Sequence, residues 1–509
     1  MTEPTHASPA RPDRARPLPV GLAMLVEFLT SACVLVLEIV AGRLLAPYVG
    51  VTLETTSAII GTVLAGIALG TWLGGVLSDR FDPGTVLPVA IVLGGASSFL
   101  ILPVVRGIAA NTDRGPSSAV VLAGVGFLIP AVVLSAVGPL LIRQQLTSLH
   151  TAGTTVARIS ALGTVGAIGG SFITGFYLVA EFSTTAIVNG VGGFLVVMGI
   201  LVALWGRRRP VRVLAVPLVL TGGAGFAGAT STSVCQRETP YVCASVIVDD
   251  ARPNGRILVL DDLWHSYVDL RDPTHLEFEY IQALASTADS IGRPGAPLRA
   301  LHIGGGGFTM PRYIEATRPG STSVILERDP DLVDIGRTRL GFRPGPSMRV
   351  VVGDARVTLL DQPTASWDLV IGDAFGGEAA PWHLATREFL QDIRRALVPG
   401  GVYAMNIIDY PPLEFLRAEL RTIRSVFGHA ALISTRPALD GQTGANFVIV
   451  ASDEPIDAAA IRTAQSGRST PLQVLDGDAV LDRFQNGFPG RAVLLTDDYG
   501  PADQLFRTG

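Results

Sequence analysis

Lysine is absent from the 509 residues, so all 39 basic side chains other than histidine are arginine. We attach no function to that bias. Charge is scarce altogether: charged residues make up 16% of the chain, against roughly 25% in ordinary soluble proteins. This excludes a wholly soluble chain of average composition. Cysteine occurs three times, too few for a disulfide-rich scaffold. No His/Cys cluster has metal-ligand spacing, which leaves no metal site to expect. No basic block occurs in the C-terminal half and the net charge is only −5, so nucleic acid is not an expected partner.

What is present is divided unequally. Residues 1–19 are rich in Pro and Arg and read as a disordered tail. Residues 20–230 are apolar, with Gly and Ala throughout. A bilayer core takes about 20 apolar residues per helix, and that window gives about seven spans: 20–42, 55–78, 85–105, 118–141, 158–180, 184–206 and 212–230. The last is the weakest, and six is the alternative count. The first apolar stretch is too long for a signal peptide. With the N-terminus cytoplasmic, that side receives Arg11, Arg14, Arg16, Arg80, Arg143, Arg158, Arg207, Arg208, Arg209 and Arg212. The other side receives Arg43, Arg106 and Arg114. The bias favours a cytoplasmic N-terminus, and seven spans then put the C-terminal half outside the cytoplasm. Cys235 and Cys243 follow the last span and are either a disulfide or two thiols; Cys33 is a packing residue. Glu27 and Glu38 stand at apolar depth in the first span, where ionisable groups are costly. They read as a proton or transport path, or as a structural pair such as Glu38 with Arg43. The small residues of Gly70–Arg80 suit close helix packing, and the stretch weakly resembles a loop of major facilitator transporters.

From residue 235 the pattern changes. Residues 235–298 read as a small β hairpin ("YVCASVIVDD", "GRILVLDD") followed by a helix. Residues 299–509 alternate strand and helix, the pattern of a doubly wound α/β fold that binds ligands at the carboxyl ends of its strands. There "LHIGGGGF" turns from strand to helix at Gly304, Gly305 and Gly306. Glu327 ends the next strand, 23 residues after Gly304, a spacing at which a carboxylate can accept the ribose hydroxyls. Asp354, followed by Ala355, ends the third strand, placed for an adenine amino group; alone it would read as a helix cap. Asp373 ends the fourth. Glycine and three acids at successive strand ends describe a nucleoside site.

These stretches, with "VILERDPDLVDIGR", "VIGDAFGGEAAPWHLATREFL", "LVPGGVYAMNI" and "LLTDDYGPADQLF", resemble the spermidine synthase (polyamine aminopropyltransferase) family, and in particular its fused form with N-terminal membrane spans. The resemblance implies a methyltransferase-like fold. It implies decarboxylated S-adenosylmethionine as co-substrate, methylthioadenosine as product, no metal, and a small-molecule amine such as putrescine as acceptor. It implies that Glu327 binds ribose, Asp354 and Ala355 bind adenine, and Asp373 accepts the proton. Soluble relatives are usually oligomers, which implies a homo-oligomer. Four positions depart from the family. The fourth position of the glycine motif, an Asp there, is Gly307. The acid three after the catalytic Asp is Gly376. The His that follows the helix aromatic is Ile281, after Tyr280. A hairpin Gln is Val242. Gly307, Gly376, Tyr280 and His265 are therefore the candidate substrate positions of an altered acceptor pocket, and Glu277, Glu279, Glu378, Asp497 and Asp498 are the acids available as substitutes.

Three functions follow. The first is a membrane-bound enzyme of the aminopropyltransferase kind, with methyl transfer from S-adenosylmethionine as a variant. The second is a non-catalytic nucleoside- or polyamine-binding module that governs transport through the spans. The third makes the spans a plain anchor, compatible with either.

Overall fold

The computed structural model describes residues 17–50, 53–109, 116–146, 152–205, 210–230, 235–375, 381–490 and 492–506. The chain divides into two compact units, Met1–Val234 and Cys235–Gly509.

The first unit is helical: α1 (Val20–Val49), α2 (Leu53–Arg80), α3 (Pro83–Ala109), α4 (Pro116–Ser135), α5 (Val137–Gln145), α6 (Ala152–Ile173), a π turn at Thr174–Leu178, the single-turn α7 (Val179–Glu181), α8 (Thr184–Trp205) and α9 (Pro210–Thr230). The span expected at 118–141 is thus two helices, α4 and α5, meeting at Ala136. The span expected at 158–180 is α6 continued through the π turn. Among the described residues, six helical segments are long and apolar enough to cross a bilayer. The seventh expected span, 212–230, forms the helix α9. Backbones touch where glycine removes the side chain. A Cβ on Gly166 would lie 2.1 Å from the Phe28 carbonyl of α1, and one on Gly70 2.2 Å from the Val132 carbonyl of α4. Small residues at such contacts are how helices associate without a hydrophobic driving force between them. Large apolar side chains such as Trp72, Phe176, Val219 and Phe226 face outward.

The second unit opens with four antiparallel strands in the order β1 (Arg237–Glu238), β2 (Cys243–Asp249), β3 (Arg252–Leu260) and β4 (Leu263–Asp269). The expected hairpin is β2–β3. The sheet gains β4 because "LWHSYVD" follows a two-residue turn at Asp261–Asp262, where Asp261 adopts φ +53°. Cys235 and Cys243 are joined as a disulfide. Helix α10 (Glu279–Ser290) leads into the main domain.

There the chain runs β5 (Arg299–Ile303), α11 (Thr309–Thr317), β6 (Thr322–Glu327), α12 (Pro330–Arg339), β7 (Met348–Val352), α13 (Ala355–Thr358), β8 (Trp367–Gly372), α14 (Arg387–Ala396), β9 (Leu397–Asp409), α15 (Glu414–Arg424), β10 (His429–Ser434), α16 (Arg436–Leu439), β11 (Ala445–Ser452), α17 (Ala458–Ser466), β12 (Gln473–Asp476), α18 (Asp478–Asn486) and α19 (Ala502–Leu505). The eight strands lie in the order β12-β10-β11-β9-β8-β5-β6-β7. Strands β5 to β9 are parallel, and β11, β10 and β12 add antiparallel pairs. Strand β12 and helices α17 and α18 were not expected.

Successive side chains of a strand point to opposite faces. Leu301 and Ile303 accordingly join a core with Phe389, Leu390, Phe415 and Leu416, under α14 and α15. Ala300 joins another core with Leu284, Ala288 and Ile314, under α10 and α11. With both faces covered, the parallel strands read as nearly continuous apolar runs. The strand order reverses at β5, which is where a sheet of this kind opens a crevice at its carboxyl edge.

Candidate active site

Four strand tips surround that crevice. It is lined by Gly304 and Gly306 after β5, Glu327 at the end of β6, Asp354 and Ala355 after β7, and Asp373 after β8. His265 of β4, Tyr241, Val242 and Phe375 complete one wall; Pro381, His383 and Leu384 complete another.

The glycine turn is shaped by contact with the next strand tip. Gly304 has φ +93°, and a Cβ on it would stand 2.3 Å from the Asp373 carbonyl. No L side chain fits there. Gly305 and Gly307 do not line the crevice. The Gly305 N–H donates to Glu327 Oε2 at 2.7 Å, and the Gly307 N–H donates to Ser266 Oγ at 3.0 Å. Glu327 is held from its other side as well, its Oε1 accepting the Asp329 N–H at 2.7 Å. Burial raises its pKa, and these two amides oppose that rise.

Asp354 does two things. Its Oδ1 accepts the Arg356 N–H at 2.8 Å, capping α13, while Oδ2 lies 3.3 Å from His383 Nε2. The cap reading and the crevice reading therefore describe the two oxygens of one carboxylate.

Asp373 is shifted toward neutrality. Desolvation in the crevice pushes its pKa up to about 6, opposed by the Asn406 amide, which donates to Oδ1 at 2.9 Å. Asn406 Oδ1 in turn accepts from Asn446 Nδ2 at 3.1 Å. A carboxylate poised near neutrality in a cleft is suited to accept a proton. His265 is the reverse case: burial pushes its pKa down to about 4, and its enclosed Nδ1 has no hydrogen-bond partner among the described residues. It is a neutral ring at the edge of Phe375, the centroids 6.2 Å apart. Tyr280 stands behind this wall, donating to the His265 carbonyl at 3.1 Å, and does not line the crevice.

Of the departures from the family pattern, Gly307 has a steric reason: a Cβ there would meet Ser266 Cβ at 2.7 Å, so this loop admits no aspartate without moving β4. Gly376 and Glu378 lie outside the described residues. The other substitute acids do not line the crevice. Glu277 pairs with His275, Asp497 is bonded to Arg356 and Thr386, and Glu279 and Asp498 are exposed. Sequence reading missed Asn406, Asn446 and His383. An amide in the middle of the apolar run "YAMNII" was the available signal for the first.

No family model matches the chain. The polyamine aminopropyltransferase of Vibrio vulnificus is 29% identical over 215 residues, covering 41% of this chain and 70% of that protein. Polyamine aminopropyltransferase 1 of Streptomyces coelicolor is 27% identical over 414 residues, covering 75% of this chain and 74% of that one. That match is longer than the C-terminal unit and so extends into the helical one. Among solved structures, a probable spermidine synthase from Corynebacterium glutamicum is 28% identical, with 52% of this chain and 99% of that chain covered and a TM-score of 0.47.

A doubly wound sheet with acids on adjoining strand tips defines an α/β transferase of the methyltransferase-like fold. Within that class the chain is similar to the polyamine aminopropyltransferases, with an apolar helical unit preceding this domain in sequence.

Proposed function

We propose that the chain is a membrane-bound aminopropyl-transferring enzyme, which uses decarboxylated S-adenosylmethionine and a small amine. Glu327 takes the ribose hydroxyls and the Asp354–Ala355 turn takes the adenine. Asp373 removes a proton from the acceptor ammonium, since only the neutral amine is a nucleophile. The amine nitrogen then bonds to the aminopropyl carbon next to the sulfonium, and the carbon–sulfur bond breaks with its electron pair left on sulfur. The products are a secondary ammonium and methylthioadenosine. Positioning supplies the rest, because the leaving group is already activated. The observation that carries this reading is the convergence of Glu327, Asp354 and Asp373 on one crevice, with Asp373 titrating near 6.

The experiment uses the full chain in lipid nanodiscs. Methylthioadenosine binds by calorimetry, and Glu327→Ala removes the binding. With decarboxylated S-adenosylmethionine and a panel of amines, product forms and Asp373→Asn removes it. Binding without product from this donor or from S-adenosylmethionine would replace the enzyme reading with the binding module.

We also propose that the N-terminus is cytoplasmic and the C-terminal unit extracytoplasmic. The arginine distribution, the seventh helix α9 and the Cys235–Cys243 bridge support this, since such bridges persist in oxidising compartments. Side-specific thiol labelling of single-cysteine variants in intact cells tests it.

A further inference from the structure

A carboxyl in the helical unit is arranged as a site of its own. Glu27 lies seven residues into α1, about 10 Å along the helix at 1.5 Å per residue. Its carboxyl reaches a junction of α1, α5 and α6, where two glycines make room. A Cβ on Gly138 would stand 3.0 Å from Oε1, and one on Gly163 2.8 Å from the same atom. Ser31, one turn on, hydrogen-bonds the carboxyl, while Oε2 is enclosed and has no hydrogen-bond partner among the described residues. The junction is also where the backbone is irregular. α4 gives way to α5 at Ala136, and Pro139 has no N–H to offer the Ser135 carbonyl.

Among the described residues no cation is paired with the group. Among residues whose side chains are described, the charged ones on the elements packed around α1 are Asp79 and Arg80 on α2, Arg106 on α3, Arg143 on α5, Arg158 on α6 and Glu181 on α7; Glu38 and Arg43 share α1 itself. None of them is paired with Glu27 among the described residues. Arg43 donates to the Val179 carbonyl and Arg106 to Thr185. A packing acid would be expected to have both oxygens satisfied, because an unpaired polar atom in apolar surroundings is costly. An oxygen kept free beside two glycines and a broken helix suits an acid that changes protonation state in place.

We propose that Glu27 is a proton-exchange site of the helical unit: its carboxylate takes up a proton from water at Oε2 and returns it to water. The inference rests on the helical unit spanning a bilayer, and is independent of the chemistry assigned to the crevice. A proton needs no cavity, and glycine at 138 and 163 leaves the carboxyl room to turn between its Ser31-bonded and free arrangements.

The test is labelling of the full chain in nanodiscs with dicyclohexylcarbodiimide, a hydrophobic reagent that adds to protonated carboxyls, with the site mapped by mass spectrometry. Glu27 is expected to be labelled, the labelled fraction falling to background as pH is raised, and Glu27→Gln to lose that label while keeping methylthioadenosine binding. If Glu27→Gln does not fold, the mapped pH titration of the unaltered chain decides alone. Glu27 unlabelled at every pH, or labelled to the same extent throughout, overturns the proposal. Loss of methylthioadenosine binding in the unaltered chain would instead overturn the crevice reading and leave this one standing.

Discussion

The Asn406 side chain donates to Asp373 Oδ1 at 2.9 Å, from the strand next to the one that carries the aspartate. The register Gly372↔Met405 sets the two side by side at the carboxyl edge of the sheet. This contact opposes the desolvation that raises the Asp373 pKa, so it sets the pH at which the group can act as a base.

Removing the donor should therefore move the titration upward. A hydrogen bond to a charged group contributes about 1.5–3 kcal/mol, and one pKa unit corresponds to about 1.4 kcal/mol. Asn406→Leu is expected to shift the acidic limb of the kcat/KM profile up by about 1–2 pH units. A pH–rate profile of the variant checks this. An unmoved limb with a lower plateau would mean that Asn406 serves only to fill space.

Asp373→Asn should abolish transfer and also make the protein more stable at neutral pH. The sign follows from linkage: the folded pKa, about 6, lies above the ordinary 3.8, so the folded state binds the proton more tightly than the unfolded one. The favourable contribution is complete below about pH 4 and is lost as pH rises through 6. The asparagine variant avoids that loss, by an amount of the order of 1–3 kcal/mol at pH 7. Thermal melts of both proteins at pH 4.5 and pH 7.5 should diverge more at the higher pH.

Gly304→Ala tests the glycine turn. The backbone sits at φ +93° and the new methyl would meet the Asp373 carbonyl at 2.3 Å. A strained conformation of this kind costs about 1–3 kcal/mol before any clash is counted. Loss of methylthioadenosine binding is the expected result, read by calorimetry, with a lowered melting temperature. Near-native affinity would show that the loop and the β8 tip can separate without harm to the crevice.

Reducing the Cys235–Cys243 bridge should loosen the crevice wall, because Tyr241 and Val242 lie inside the loop it closes. Closing so short a loop contributes about 2–3 kcal/mol in the chain-entropy account. The Cys235→Ser, Cys243→Ser variant is expected to melt earlier and to bind methylthioadenosine several-fold more weakly. Equal affinity with an earlier melt would confine the bridge to stability.

Much of this was legible in the chain because the signals are local. A strand, a glycine turn and an acid at the next strand end fall within about 25 residues, and apolar runs of bilayer length announce themselves. Glu327, Asp354 and Asp373 could be assigned to one edge from the α/β alternation alone. Asn406 could not, because its partner is 33 residues away and only the β8–β9 register brings them together. Strand β4 was missed because it follows β3 after a two-residue turn without glycine, at a position where Asp261 adopts a positive φ. His383 was missed because its meaning depends on the distance to Asp354. The spacing of the cysteines left a disulfide and two thiols equally open; the β1–β2 pairing of Glu238 with Cys243 brings the strands together beside the bridge.

Glu327 is clasped by amides from two different places, the glycine turn ahead of it and the entrance to α12 behind it. Rotating that side chain away would undo both clasps at once. On the proposed reading Glu327 is thus already held in the pose that would take the ribose hydroxyls, and a nucleoside would have little left to organise there. Affinity at this end should then change little with the length or charge of the amine, and selectivity among amines should be decided on the opposite side of the pocket.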